Sequence, residues 1–107
     1  MQAISTTKDI IQNLGKVFEK GLQNEYLSRS IGKIIEHEKE RTDKEVRMLK
    51  KELSRFECAY QMSSKDFFER FEKGDFGDKE DYFEWSAMYQ MYERSVDRLN
   101  ILESPSV

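Results

Sequence analysis

Chemistry in this chain would have to come from one histidine, one cysteine and a run of carboxylates. His37 lies in Glu36-His37-Glu38-Lys39-Glu40, and Cys58 follows farther along the same helical pattern. A nucleophile and its base must come within hydrogen-bond reach, whereas two residues some 20 positions apart on one helix are about 30 Å apart. The pair therefore predicts no catalysis. His37 reads as an exposed histidine on a charged face, and Cys58 as a buried, inert thiol packed as a small hydrophobe. Zinc sites draw on several Cys and His, and one of each does not make one. The carboxylates from Asp75 to Glu84 fail the calcium-loop pattern, because Glu80 and Ser86 occupy the sixth and twelfth places where Gly and Glu are required. Asp75-Phe76-Gly77 spells a kinase magnesium motif, but the sequence has neither the glycine-rich loop nor the catalytic-loop His-Arg-Asp that accompany it. No enzyme activity, metal or cofactor is expected.

The same carboxylate run has a second character. Asp75, Asp78, Glu80, Asp81 and Glu84 form a dense anionic patch, and Phe76, Tyr82, Phe83, Trp85, Tyr89 and Tyr92 crowd around it. Aromatics are favoured anchors of binding surfaces, and carboxylates steer a basic partner. The residues nominated for partner binding are Asp75, Phe76, Asp78, Glu80, Asp81, Tyr82, Glu84, Trp85, Tyr89 and Tyr92. The competing reading is that the aromatics fill a helical core while the acids cap and solubilise; the sequence leaves both open, with some residues in each role.

Charge is distributed unevenly. Residues 1–28 are neutral, 29–55 carry +3 and 56–107 carry −6. The acidic C-terminal half repels phosphates and favours a basic partner. From Arg29 to Arg55 nine cations alternate with six anions. Pairs such as Glu40 with Lys44 and Lys33 with Glu36 fit intrahelical support, so direct nucleic-acid binding is not expected.

These residues need helices to position them. Apolar residues make up 37% and charged residues 36% of the 107, a balance that suits long helices with solvated faces. One proline and five glycines are too few for a turn-rich β fold. Thr7 can cap a first helix through Ile10, Ile11, Leu14, Val17 and Phe18, with Gly21 near its end. From about Asn24 a long helix carries Ile35, Lys39, Thr42, Val46, Leu49, Leu53, Phe56 and Tyr60 at alternating spacings of 4 and 3, the pattern of a coiled-coil seam. Lys39 and Thr42 predict loose packing early in the seam and tight packing from Val46 onward. Ser63 with Asp66, and Met62 with Phe67, mark the start of a short third helix to Lys73. Gly74 stands where a left-handed cap needs no Cβ. Asp78 is the expected cap of a fourth helix carrying Tyr82, Trp85, Tyr89, Tyr92, Val96, Leu99 and Glu103, with Phe83, Met88 and Met91 broadening the stripe. Pro105 ends it.

The expected fold is all-α: an elongated antiparallel helical hairpin with a long central helix, a short corner helix and a C-terminal helix. Residues 1–23 form an N-terminal helix or arm and 24–107 the hairpin. Exposed aromatic surface favours a homodimer or a hetero-complex. A lone cysteine and the lack of a signal-like or membrane-spanning apolar run predict a soluble cytoplasmic protein. Self-assembly through the seam from Val46 to Tyr60 and the aromatic stripe is the alternative function, and weak nucleic-acid binding through Arg29 to Arg55 is a lesser one.

The string Tyr60-Gln61-Met62-Ser63-Ser64-Lys65-Asp66-Phe67, then Phe71, Gly74, Gly77-Asp78 and Asp81-Tyr82-Phe83-Glu84-Trp85-Ser86, resembles small helical antitoxins of prokaryotic toxin–antitoxin pairs, in particular those encoded beside TumE-type toxins. Their pattern is a Y-G-M-S-S-x-x-F turn, a G-x-x-G-D link and a D-F-x-E-W helix start, and the match runs from about Lys44 to Glu103. Gln61 replaces the usual glycine. The resemblance implies a protein that holds a cognate toxin, a basic ribonuclease, inactive by occlusion.

Overall fold

Most helix boundaries among the described residues have a local cause. In the computed structural model, which describes residues 6–104, four helices follow in order: α1 Thr7–Glu19, α2 Glu25–Tyr60, α3 Ser64–Glu72 and α4 Glu80–Glu103. The described residues contain no strand. α1 is capped by Thr6, one residue before the expected Thr7. The Thr6 hydroxyl accepts from the Asp9 amide at 3.1 Å and the Asp9 carboxylate accepts from the Thr6 amide at 3.3 Å, a reciprocal box that Thr7 cannot form. Gly21, at φ +67°, stops α1: its amide bonds to the Phe18 carbonyl and the Leu22 amide to the Val17 carbonyl. Asn24 caps α2 by accepting from the Leu27 amide at 2.8 Å.

The chain divides into two compact units, one ending at Ile34 and the other starting at Ile35, so the division falls inside α2. In the first unit α1 buries no residue. Leu14, Val17, Phe18, Leu27 and Ile31 are half-covered there.

The second unit is the hairpin. α2 ends where Gln61 turns left-handed at φ +54°, and the Met62 amide reaches back to the Glu57 carbonyl. α3 starts at once: the Ser63 hydroxyl accepts from the Asp66 amide at 3.1 Å, and the Glu57 carboxylate accepts from the Ser64 amide at 2.8 Å. Two of the amides that a helix start leaves free are thereby satisfied. Gly74, at φ +81°, closes α3 with its amide on Phe71 and the Asp75 amide on Arg70. α4 then runs antiparallel to α2, as Tyr60 meeting Asp81 at one end and Glu38 meeting Arg98 at the other show. The seam and the aromatic stripe thus close on each other within one chain.

Leu53, Phe67 and Trp85 form the buried centre, surrounded by Phe56, Tyr60, Met62, Phe68, Phe71, Tyr82 and Met88. Packing away from that corner differs from the expectation. Thr42 is only 2% exposed, while Val46 is half-buried. Ser95 is buried on α4 between the Tyr60–Asp81 and Glu38–Arg98 contacts. On α4 the buried or half-buried positions include Trp85, Met88, Tyr92, Ser95 and Leu99, while Phe83 and Met91 are exposed and do not broaden the covered stripe.

Three local expectations are corrected. Asp78 does not cap α4; Lys79 is the cap residue and offers no side-chain bond, so the first turn is held by ring packing of Tyr82. Cys58 is exposed, because it sits two residues from both Phe56 and Tyr60 and so about 200° round the helix from the seam. The ion pairs within α2 join Glu25 to Arg29, Glu36 to Lys39 at 3.3 Å, Glu38 to Arg41 at 3.6 Å, Asp43 to Arg47 at 2.6 Å and Glu52 to Arg55 at 3.2 Å, and not the expected partners Lys33 and Glu36 or Glu40 and Lys44. His37 is exposed. No helix among the described residues is long and apolar enough to cross a membrane.

Candidate functional site

Antiparallel closure brings the last two turns of α2 against the first turns of α4, and the nominated residues sort themselves by their distance from that seam. Trp85 is wholly buried. Its indole stacks on Phe67 at 3.9 Å, with Phe56 at 5.6 Å and Tyr60 at 5.5 Å also stacked on it. Its Nε1–H donates to the Ser64 hydroxyl at 2.9 Å. A side chain with no exposed surface touches no partner, so Trp85 belongs to the core. Phe76 and Tyr82 are half-buried, with ring centroids 5.1 Å apart, and both lean on Phe67. Their edges remain at the surface.

The acids are the open part. Asp75, Asp78, Glu80, Asp81 and Glu84 are all exposed. Asp75 lies 4.0 Å from Arg70, whose guanidinium also sits over the Phe76 ring at 5.4 Å. Asp81 accepts a hydrogen bond from the Tyr60 hydroxyl at 2.8 Å. That bond, then desolvation and the Asp81 charge, push the Tyr60 phenol above its ordinary value of 10.0. Lys79 stands over the rings of Tyr60 and Tyr82 at 5.7 and 5.9 Å, one cation within the anionic field. Asp78, Glu80 and Glu84 enter no ion pair with any described residue.

Between α2 and α4 lies an open cleft of about 300 Å³, lined by Glu52, Arg55, Phe56, Ala59, Tyr60, Asp81 and Glu84. Phe56 and Tyr60 supply aromatic walls, and three carboxylates face one guanidinium that Glu52 already engages at 3.2 Å. The cleft can take a cationic side chain, since ring faces and carboxylates both attract one. Sequence reasoning nominated only Asp81 and Glu84 of these residues. The α2 members were reachable by counting: pairing Tyr60 with Asp81 places Phe56 against Trp85 and Glu52 one turn farther along.

Tyr89 and Tyr92 lie elsewhere. They line a shallow depression along α4 with Glu93, Val96, Asp97 and Asn100. Tyr89 packs on Phe68 at 5.1 Å, and burial first, then the charges of Glu93 and Glu69, push its phenol above the ordinary 10.0. An exposed aromatic that the nomination omitted is Phe83, 54% accessible and edge-on to Phe71 at 5.5 Å. Its signal was its place two residues before Trp85, about 200° round the helix from the buried side.

Among the described residues no three His, Cys, Asp or Glu side chains gather as a metal site. The chain matches no protein-family model, no curated protein and no solved structure.

Proposed function

We propose that the chain is an antitoxin-type binding protein. It neutralises a basic partner, a ribonuclease-like toxin, by laying the acidic face around the α2–α4 corner over the partner's phosphate-binding surface. The observation that carries this reading is the cleft in which Glu52, Asp81 and Glu84 surround the rings of Phe56 and Tyr60. The exposed Asp75, Asp78 and Glu80 extend the same negative field along the link. A ribonuclease must present cations to phosphates, and a fixed array of carboxylates can occupy the same groups in place of RNA. The sequence likeness to helical antitoxins falls on the same corner, from Tyr60 to Ser86. No step of chemistry is needed, since occlusion alone inactivates.

The test uses the product of the adjacent reading frame as partner, with affinity measured across a salt series. Association is expected to slow as salt rises. Asp78→Lys and Glu84→Lys, which break no ion pair with any described residue, each weaken binding about tenfold or more. Salt-independent affinity unchanged by both reversals would overturn the reading.

A further inference from the structure

α1 is 13 residues long, and none of them is buried. A free helix of that length is marginal in water, and helices in proteins gain most of their stability from covering an apolar face. In α1 that face is only partly covered. Ile10 and Ile11 stand 56% and 61% exposed, and Leu22 in the following turn 68%. Ile11, Gly15 and Phe18 recur at spacings of 4 and 3, one line along α1, and Leu22 follows beyond its end. A Cβ at Gly15 would meet nothing within 4 Å. Glycine weakens a helix interior relative to alanine, and no close approach by a described residue makes use of this one.

Charge decides what fits there. Lys8 and Glu19 are three turns apart, so they lie on one line bordering the open strip. Neither enters an ion pair with any described residue. Packed parallel about a two-fold axis, the two copies would carry these same-edge charges on opposite sides of the contact, where neither faces its opposite. Packed antiparallel, they set Lys8 of each copy against Glu19 of the other, twice. A strongly basic partner is a poorer occupant, because Lys8, Lys16, Lys20, Arg29 and Lys33 outnumber Asp9, Glu19 and Glu25 in this unit. The acidic corner of the hairpin suits such a partner better.

We infer that the open face of α1 seats a second copy of this chain. The two helices pack antiparallel about a two-fold axis, with the gap at Gly15 allowing close approach, Ile11 in the contact, and two Lys8–Glu19 pairs along its edge. A two-fold contact is self-complementary, as these paired charges require. The assignment is independent of the proposed function, because no other protein takes part.

Sedimentation equilibrium on the full chain tests it, at concentrations reaching on the order of 100 µM, because an interface this small is weak. A concentration-dependent dimer is expected. Lys8→Glu and Glu19→Lys alone each weaken it about tenfold, since each replaces two attractions with two repulsions. The double variant returns the dissociation constant to within about twofold of the original. Ile11→Asp abolishes the dimer, with circular dichroism recording whether α1 stays helical. A chain that is monomeric throughout overturns the inference. So does a dimer indifferent to the single reversals, or one that the double variant fails to restore.

Discussion

The indole of Trp85 lies flat on the ring of Phe67, with centroids 3.9 Å apart and planes within 4° of each other. Both side chains are wholly buried, and every helix of the hairpin reaches this pair: α2 through Phe56 and Tyr60, α3 through Phe67 itself and α4 through Trp85. Removing the phenyl ring opens a cavity at the meeting point of three helices. Phe67→Ala is expected to cost about 3–5 kcal/mol, a large part of the roughly 5–15 kcal/mol that holds a domain folded. Urea unfolding followed by the fluorescence of the single tryptophan measures it.

Ser64 satisfies the indole nitrogen in a dry place. Ser64→Ala leaves that buried N–H without an acceptor and is expected to cost about 1–3 kcal/mol. Adding Trp85→Phe removes the stranded donor, so the pair of substitutions costs less than the sum of the two alone. A double-mutant cycle by circular dichroism reads the coupling.

Gln61 holds the left-handed position that closes α2, at φ +54°. Its side chain relieves part of the strain by donating to the Cys58 carbonyl at 2.7 Å. Glycine adopts that backbone without a Cβ clash. Gln61→Gly is therefore expected to stabilise the hairpin by about 1 kcal/mol, raising the melting temperature by about 4–8 °C. A fall in melting temperature would show that the amide bond outweighs the strain.

Tyr60 keeps its proton more tightly in the folded chain, because its hydroxyl donates to Asp81. The stabilising contribution is fully present below the ordinary phenol value of 10.0 and is lost as pH rises through the higher folded value. Asp81→Asn removes the charge and shifts the Tyr60 titration back downward. Difference titration of tyrosinate absorbance between the two proteins records the shift, and superimposable curves would contradict it.

Thr42 is only 2% exposed. Thr42→Leu adds volume at this buried position and is expected to cost about 1–3 kcal/mol. Thermal unfolding measures it, with Thr42→Val as the near-isosteric control.

How far the sequence revealed all this depends on whether the signal was local. Ser63 and Gly74 carry their own backbone chemistry, so the two ends of α3 were legible from single residues. The 4-and-3 alternation from Ile35 to Tyr60 fixed which face of α2 turns inward. What it did not carry was the identity of the opposing residue. Thr42 looked like a weak layer because its type is polar, yet it is only 2% exposed. Asp78 looked like a cap because its type favours one, yet the start of α4 is set by where Tyr82 meets Phe76 and Tyr60. The candidate site was legible as a charge pattern only. Which of its aromatics were free, and that Glu52 and Phe56 joined it, required the pairing of α2 with α4.

The two ends of that pairing lie at very different distances along the chain. Tyr60 and Asp81 are separated by 21 positions, whereas Glu38 and Arg98 are separated by 60. Closing the longer span directly costs about 1 kcal/mol more in loop entropy, so the hairpin should zip from the corner at α3 towards the open end. The Glu38–Arg98 bond, 2.9 Å long but exposed, is then the last to form and the first to open. Amide hydrogen exchange should accordingly show a gradient of protection along α4, slowest around Trp85 and fastest beyond Arg98.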